Sequence, residues 1–139
     1  MIRPLVVVKG FEIPYFVVFD ADSNDLDRNG DKKGEHKKDN ETLLTLLGAT
    51  QFAPFPLDTV WADRYAVWPN TFGDVVRSEI PADRLSDLES QARISCGHAP
   101  GMEKNSVFIG ELLRLAFDEG LRPPSLEKLC SLVLRAAGG

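Results

Sequence analysis

Ile13-Pro14-Tyr15-Phe16-Val17-Val18-Phe19-Asp20-Ala21-Asp22 is the stretch on which the reading of this chain turns. Positions 13–19 are β-branched or aromatic and apolar on both faces, which suits a central strand of a parallel sheet covered on both sides. Pro14 falls at its start, where a missing ladder donor is tolerated. Before it, the apolar run Leu5 to Val8 is too short for periodicity to separate a strand from a buried helical turn. After it, residues 20–40 change character: apart from Leu26 and Ala21 they are glycine, polar or charged, and read as a long solvated loop.

Downstream, Asp39 or Asn40 can cap a short helix carrying Leu43, Leu44, Leu46 and Leu47, with Gly48 as terminator. Thr59 to Trp68 reads as strand-rich, interrupted by Ala62-Asp63-Arg64. Thr71 and Asp74 have the spacing of a capping box. Leu85, Leu88 and Ala92 place a narrow apolar stripe on a helix over 82–94. A helix over 105–119 stops at Gly120, and Ser125 caps a last amphipathic helix after Pro123-Pro124. The order of elements predicts an α/β fold in a single domain over residues 1–139, with a core over about 1–80 and C-terminal helices over about 82–137.

Composition narrows the function. A formal charge of −5 and a pI near 5.0 argue against a stand-alone nucleic-acid binder. They do not exclude a nuclease, because acidic metal ligands lower the count. Cys96 and Cys130 stand apart with no C-x-x-C pairing, as expected of idle thiols in a reducing cytosol. No apolar run reaches the roughly 18 residues of a membrane span, and Met1-Ile2-Arg3-Pro4 does not begin a secretory signal. A cytoplasmic location, without a membrane partner, is the expectation.

Chemistry concentrates at Asp20 and Asp22. In parallel sheets, ligands bind beyond the carboxyl ends of strands. Two carboxylates one residue apart can converge there on a hard cation that takes oxygen ligands. Asp25-Leu26-Asp27-Arg28-Asn29-Gly30 matches the opening of a calcium loop, but its twelfth position is His36 rather than Glu. A flexible acidic-then-basic loop accounts for it better. Lys104 opens a helix where the dipole disfavours a cation, so it is either an accident of a surface turn or functional. Asp74 is explained by its capping box and Glu79 by a solvated face, while His36 and His98 read as surface residues in polar loops. No G-x-S-x-G or phosphate-binding P-loop is present.

These residues resemble a family. Ile13 to Asp22 is similar to the D-x-D strand of a Toprim domain, the metal-binding module of nucleases and topoisomerases. His36-Lys37-Lys38-Asp39-Asn40, then Val67-Trp68-Pro69-Asn70, and Lys104-Asn105-Ser106 resemble the overcoming lysogenization defect (OLD) family of ATP-dependent endonucleases. The resemblance implies a Rossmann-like Toprim core with a helical C-terminal extension. It implies metal-dependent DNA cleavage in which Asp20 and Asp22 bind Mg²⁺ or Mn²⁺. Asp74, or else Glu79, would help a second ion, and Lys104 would neutralise charge on the scissile phosphate. DNA and an N-terminal ATPase domain are the implied partners. The first-strand glutamate of the family's pattern has no match, since Glu12 follows Gly10 in the wrong place. Residues 1–10 would then be the helix leading into the D-x-D strand, and the chain a C-terminal part of a larger protein with little nuclease activity alone. Two other classes fit the same strand. One is a haloacid-dehalogenase-like phosphatase with Asp20 as nucleophile and Asp22 as general acid. The other is a non-catalytic interaction module.

Overall fold

The structure, a computed structural model, describes residues 2–97 and 106–138. Among them the chain forms α1 (Ile2–Gly10), β1 (Val17–Asp20), α2 (Gly34–Leu47), β2 (Val60–Trp61), β3 (Tyr65–Trp68), α3 (Phe72–Ser78), α4 (Ala82–Ser95), α5 (Ser106–Asp118) and α6 (Pro124–Ala136). The fold is mixed α/β, with a three-stranded sheet in the order β1-β3-β2. His98 and Lys104 lie outside the described residues.

Two compact units divide the described chain. One runs to Phe72 and takes up the chain again from Lys128; the other is Gly73–Glu127. In the first, β1 pairs with β3 in parallel, Val17 opposite Tyr65 and Asp20 opposite Trp68. β2 joins β3 antiparallel through a tight turn in which Ala62 N–H donates to the Tyr65 carbonyl at 2.9 Å. The sheet is therefore mixed rather than wholly parallel, because the polar interruption at 62–64 makes a hairpin instead of a crossover.

Side-chain alternation sorts the sheet into two faces. Val17, Phe19, Tyr65 and Val67 turn one way and pack with Leu5 of α1 and Leu43 and Leu44 of α2. Ala66 and Trp68 turn the other way, where the Trp61 ring meets Trp68 edge-on at 5.6 Å and the Phe72 ring lies tilted against it at 4.4 Å. Lys128 of α6 lies 4.6 Å from the Trp61 ring centre on the same side. All of β3 is buried, whereas β1 alternates and leaves Val18 39% exposed. The central strand is thus β3. β1, read from its apolar sequence as central, has β3 on one side and, among the described residues, no strand on the other.

Helix boundaries hold two corrections. Residues 20–40 are not one long loop, because α2 begins at Gly34 and Asn40 sits inside it, 5% exposed. The polar first turns of α2 hid its start. His36, Asn40, Leu43, Leu44 and Leu47 nevertheless share one face at helical spacing. Gly48 ends the helix in the left-handed region (φ 71°), as expected. In the second unit α4 and α5 pack through Leu88, Ala92, Phe108, Leu112 and Ala116, with Ile80 in the same cluster. Gly120 again terminates in left-handed geometry (φ 77°).

The second correction concerns α6. Ser125 does not cap it, since the helix begins at Pro124, where the absent N–H is no loss. The cap comes from Glu79 instead. Its Oε2 accepts the Ser125 N–H at 3.0 Å, and its Oε1 accepts the Ser125 hydroxyl at 2.6 Å. A carboxylate at a helix N-terminus satisfies an orphan amide and meets the positive end of the dipole. Glu79→Ala is expected to lower unfolding free energy by about 1 kcal/mol, and Glu79→Gln, which keeps one acceptor, by less. Urea denaturation of the two variants beside wild type measures the order.

Candidate functional site

β1 ends at Asp20, and the four residues after Phe19 are tied down from several directions. Asp20 Oδ1 accepts the Phe72 N–H at 2.9 Å. Ala21 N–H continues the ladder to the Trp68 carbonyl at 2.8 Å. Ser23 N–H donates to the Pro69 carbonyl at 2.9 Å, and its hydroxyl donates to Asn70 Oδ1 at 2.8 Å. Asp22 has a left-handed backbone (φ 52°), which aspartate tolerates better than most side chains. Its carbonyl then accepts the Asp25 N–H at 3.0 Å, closing a turn.

From the other side comes α2. The Asn40 carboxamide Nδ2 donates to the Ala21 carbonyl at 3.0 Å and to the Pro54 carbonyl at 2.9 Å. One turn earlier, His36 stands between two carboxylates. Its Nε2 is 3.0 Å from Asp25 Oδ2 and its Nδ1 is 3.9 Å from Asp22 Oδ2. His36 is therefore a half-buried helical residue rather than a bystander in a polar loop. The signal for both residues was the i, i+4 spacing of His36 and Asn40 in register with the buried leucines.

The calcium-loop look-alike is spent on local structure. Asp27 Oδ1 accepts the N–H groups of Asn29 at 2.8 Å and Asp31 at 3.1 Å. Gly30 supplies the left-handed step (φ 83°), and Leu26 bridges Lys32 antiparallel. Asp25 is bonded to Lys33 Nζ at 2.8 Å as well as to His36. Lys33 first, and His36 second, hold the Asp25 carboxyl below the usual range, and Asp25 in turn raises the Lys33 ammonium.

Asp20 and Asp22 thus flank Ala21 at the strand end in the first unit, Asp20 on the Phe72 amide and Asp22 beside His36. Asp74, in the first turn of α3, and Glu79 belong to the second. Glu79 has both carboxylate oxygens engaged on Ser125. Lys104 lies outside the described residues. Among those described, no group of three or more His, Cys, Asp or Glu forms a ready metal cage. The pair still fits a hard cation in kind, because magnesium is commonly held by one or two carboxylates, with waters and substrate phosphate completing its shell. One buried donor near the pair has no partner, the indole N–H of Trp68. A donor cannot bind a cation, so it adds nothing to such a shell.

Comparison with protein-family models, curated proteins and solved structures finds no match to this chain. Among the described residues no helix is long and apolar enough to cross a membrane.

A folded pKa below the unfolded one contributes stability above the unfolded value, lost as pH falls through the folded value. Lys33→Met is expected to move the Asp25 titration upward toward an ordinary carboxylate and to flatten the acid limb of stability. Carbon-detected NMR titration of the Asp25 carboxyl checks the direction.

Proposed function

We propose that the chain carries the D-x-D portion of a Toprim-like nuclease site, in which Asp20 and Asp22 hold Mg²⁺ or Mn²⁺ for phosphodiester hydrolysis. The observation that supports this most is the convergence of distant sequence stretches on one turn. Residues 36–40 of α2 reach the turn through His36 and Asn40, and residues 67–70 reach it through Trp68, Pro69 and Asn70. Both stretches are ones in which the chain resembles OLD-family endonucleases. Backbone so heavily tied around two carboxylates is costly to build for a solvated loop entry alone. It is what preorganised ligands require.

In this reading the bound ions would activate water and stabilise the leaving oxygen. The chain's own residues orient the carboxylates: Asp20 through the Phe72 amide, Asp22 through its left-handed turn and His36. Exposed cations at Arg28, Lys32, Lys37 and Lys38 lie in the same stretch of sequence as His36, Lys32 over the Phe55 ring and Lys37 near Glu41, and offer charge for a phosphate backbone despite the acidic total. The family resemblance implies Asp74 as a further acidic residue and Lys104 as a cation for the phosphate charge, but Asp74 belongs to the other unit and Lys104 lies outside the described residues. Glu79 is the weaker candidate, because leaving Ser125 would uncap α6. The family's first-strand glutamate has no match in this sequence, and an ATPase domain is the partner this reading implies.

A ligand that binds only the folded state raises its stability by mass action. Millimolar Mg²⁺ or Mn²⁺ is expected to raise the melting temperature of wild type and to leave Asp20→Ala/Asp22→Ala unmoved. Thermal melts of both proteins decide it. An equal response, or none in wild type, would remove the metal reading and leave the interaction module.

A further inference from the structure

We infer that Asn40 is a positioning residue for the D-x-D turn, setting metal affinity at Asp20 and Asp22 through the backbone carbonyl between them. The inference rests on the proposed metal site and adds to it a residue that carries no charge and would touch no metal. Asn40 is the buried polar residue of the described chain, 5% exposed. Its surroundings ask for a donor. Both neighbours are carbonyl oxygens, of Ala21 and of Pro54. Serving both at once takes a group with at least two N–H protons, and the NH₂ end of the Asn40 carboxamide supplies them without burying a charge. Aspartate, nearly isosteric, would set a carboxylate against two acceptors.

Position makes the pairing consequential. Ala21 is fully buried, so its carbonyl has no water to fall back on. Its N–H is fixed to the Trp68 carbonyl, and the residue after it adopts the left-handed conformation. Aspartate visits that region more readily than most side chains, and the bonds on either side of it fix it there. Asn40 supplies the constraint from α2, and Trp68 supplies the opposing one from β3. Released on the α2 side, the Ala21–Asp22 peptide can rotate toward ordinary geometry, and the Asp22 carboxylate would swing with it. Partners that orient metal-binding side chains commonly account for about 10- to 100-fold in affinity.

The test is Mn²⁺ binding to the full chain, read by electron paramagnetic resonance of free Mn²⁺, for wild type, Asn40→Ala, Asn40→Asp and Leu43→Ala. Leu43 is buried on the same helix and packs in the core cluster, so its truncation controls for lost stability. The expected result is Mn²⁺ affinity about 10-fold or more weaker in both Asn40 variants and unchanged in Leu43→Ala. Folded Asn40 variants that bind as wild type does would overturn the role while leaving the metal site standing. Wild type that binds no Mn²⁺ would take down the metal reading and this role with it. Should both Asn40 variants fail to fold, the wild-type Asn40 side-chain amide signal decides the matter in a Mg²⁺ titration. A shift that saturates with the metal supports the role, and an unmoved signal overturns it.

Discussion

Parallel pairing of β1 with β3 constrains this chain before any side chain is considered. Two parallel strands cannot be joined by a tight turn, so the residues between Asp20 and Tyr65 must leave one end of the sheet and return at the other. The crossover carries α2, whose leucines cover the face made by Val17, Phe19, Tyr65 and Val67. The register sets Asp20 opposite Trp68. Both strands therefore end at the same level, and the chain leaving β1 meets the chain leaving β3. The bonds from Ser23 to Pro69 and Asn70 follow from that shared level.

The turn at 20–23 and the side chains around it hold features that each cost stability locally. A buried polar side chain that loses its partner costs roughly 1–3 kcal/mol. Left-handed backbone at a non-glycine residue adds about 1–3 kcal/mol. Trp68, 1% exposed, keeps its indole N–H without an acceptor. Asn40 offsets the first of these by meeting two carbonyls with two protons. The apolar cluster of Leu5, Phe19, Leu43, Leu44 and Val67 supplies the surplus, at about 1.5–3 kcal/mol for each large side chain buried. Local conflict surrounded by ordinary packing marks places where sequence and structure answer to something besides folding.

How far the sequence disclosed this depends on the range of the interaction. Gly48 and Gly120 ended their helices where expected, because a left-handed terminator is a property of one residue and its neighbours. The stripe of Leu85, Leu88 and Ala92 was visible for the same reason. The α2 start was not, since Gly34 to Asp39 is polar and the helix there is held by what lies across from His36 and Asn40. Glu79 capping Ser125 spans 46 positions, and no local pattern announces it. β1 looked central because its residues are apolar on both faces, yet strand composition does not count neighbours. Of the candidate site, the carboxylate pair at a strand end was legible, whereas the residues that fix its shape come from α2 and from beyond β3.

Charge distribution within the turn separates the acidic residues by what each already does. Asp27 is folded back onto the amides of its own loop, and Asp25 is matched by Lys33 and by the near nitrogen of His36. Asp20 holds the Phe72 amide through one oxygen. Asp22 has His36 at 3.9 Å, a longer contact than the 3.0 Å the same imidazole makes to Asp25. At 3.9 Å that contact is too long for a hydrogen bond. A divalent cation arriving at Asp22 would displace a long contact and leave the short one intact, so the loop would keep its shape while gaining a ligand. Binding at Asp25 would instead have to break a 2.8 Å bond to Lys33. Under the proposed metal reading, Asp22 is therefore the carboxylate that a cation would reach with least loss of the loop's own bonds, since Asp25 and Asp27 are committed to Lys33, His36 and the loop amides.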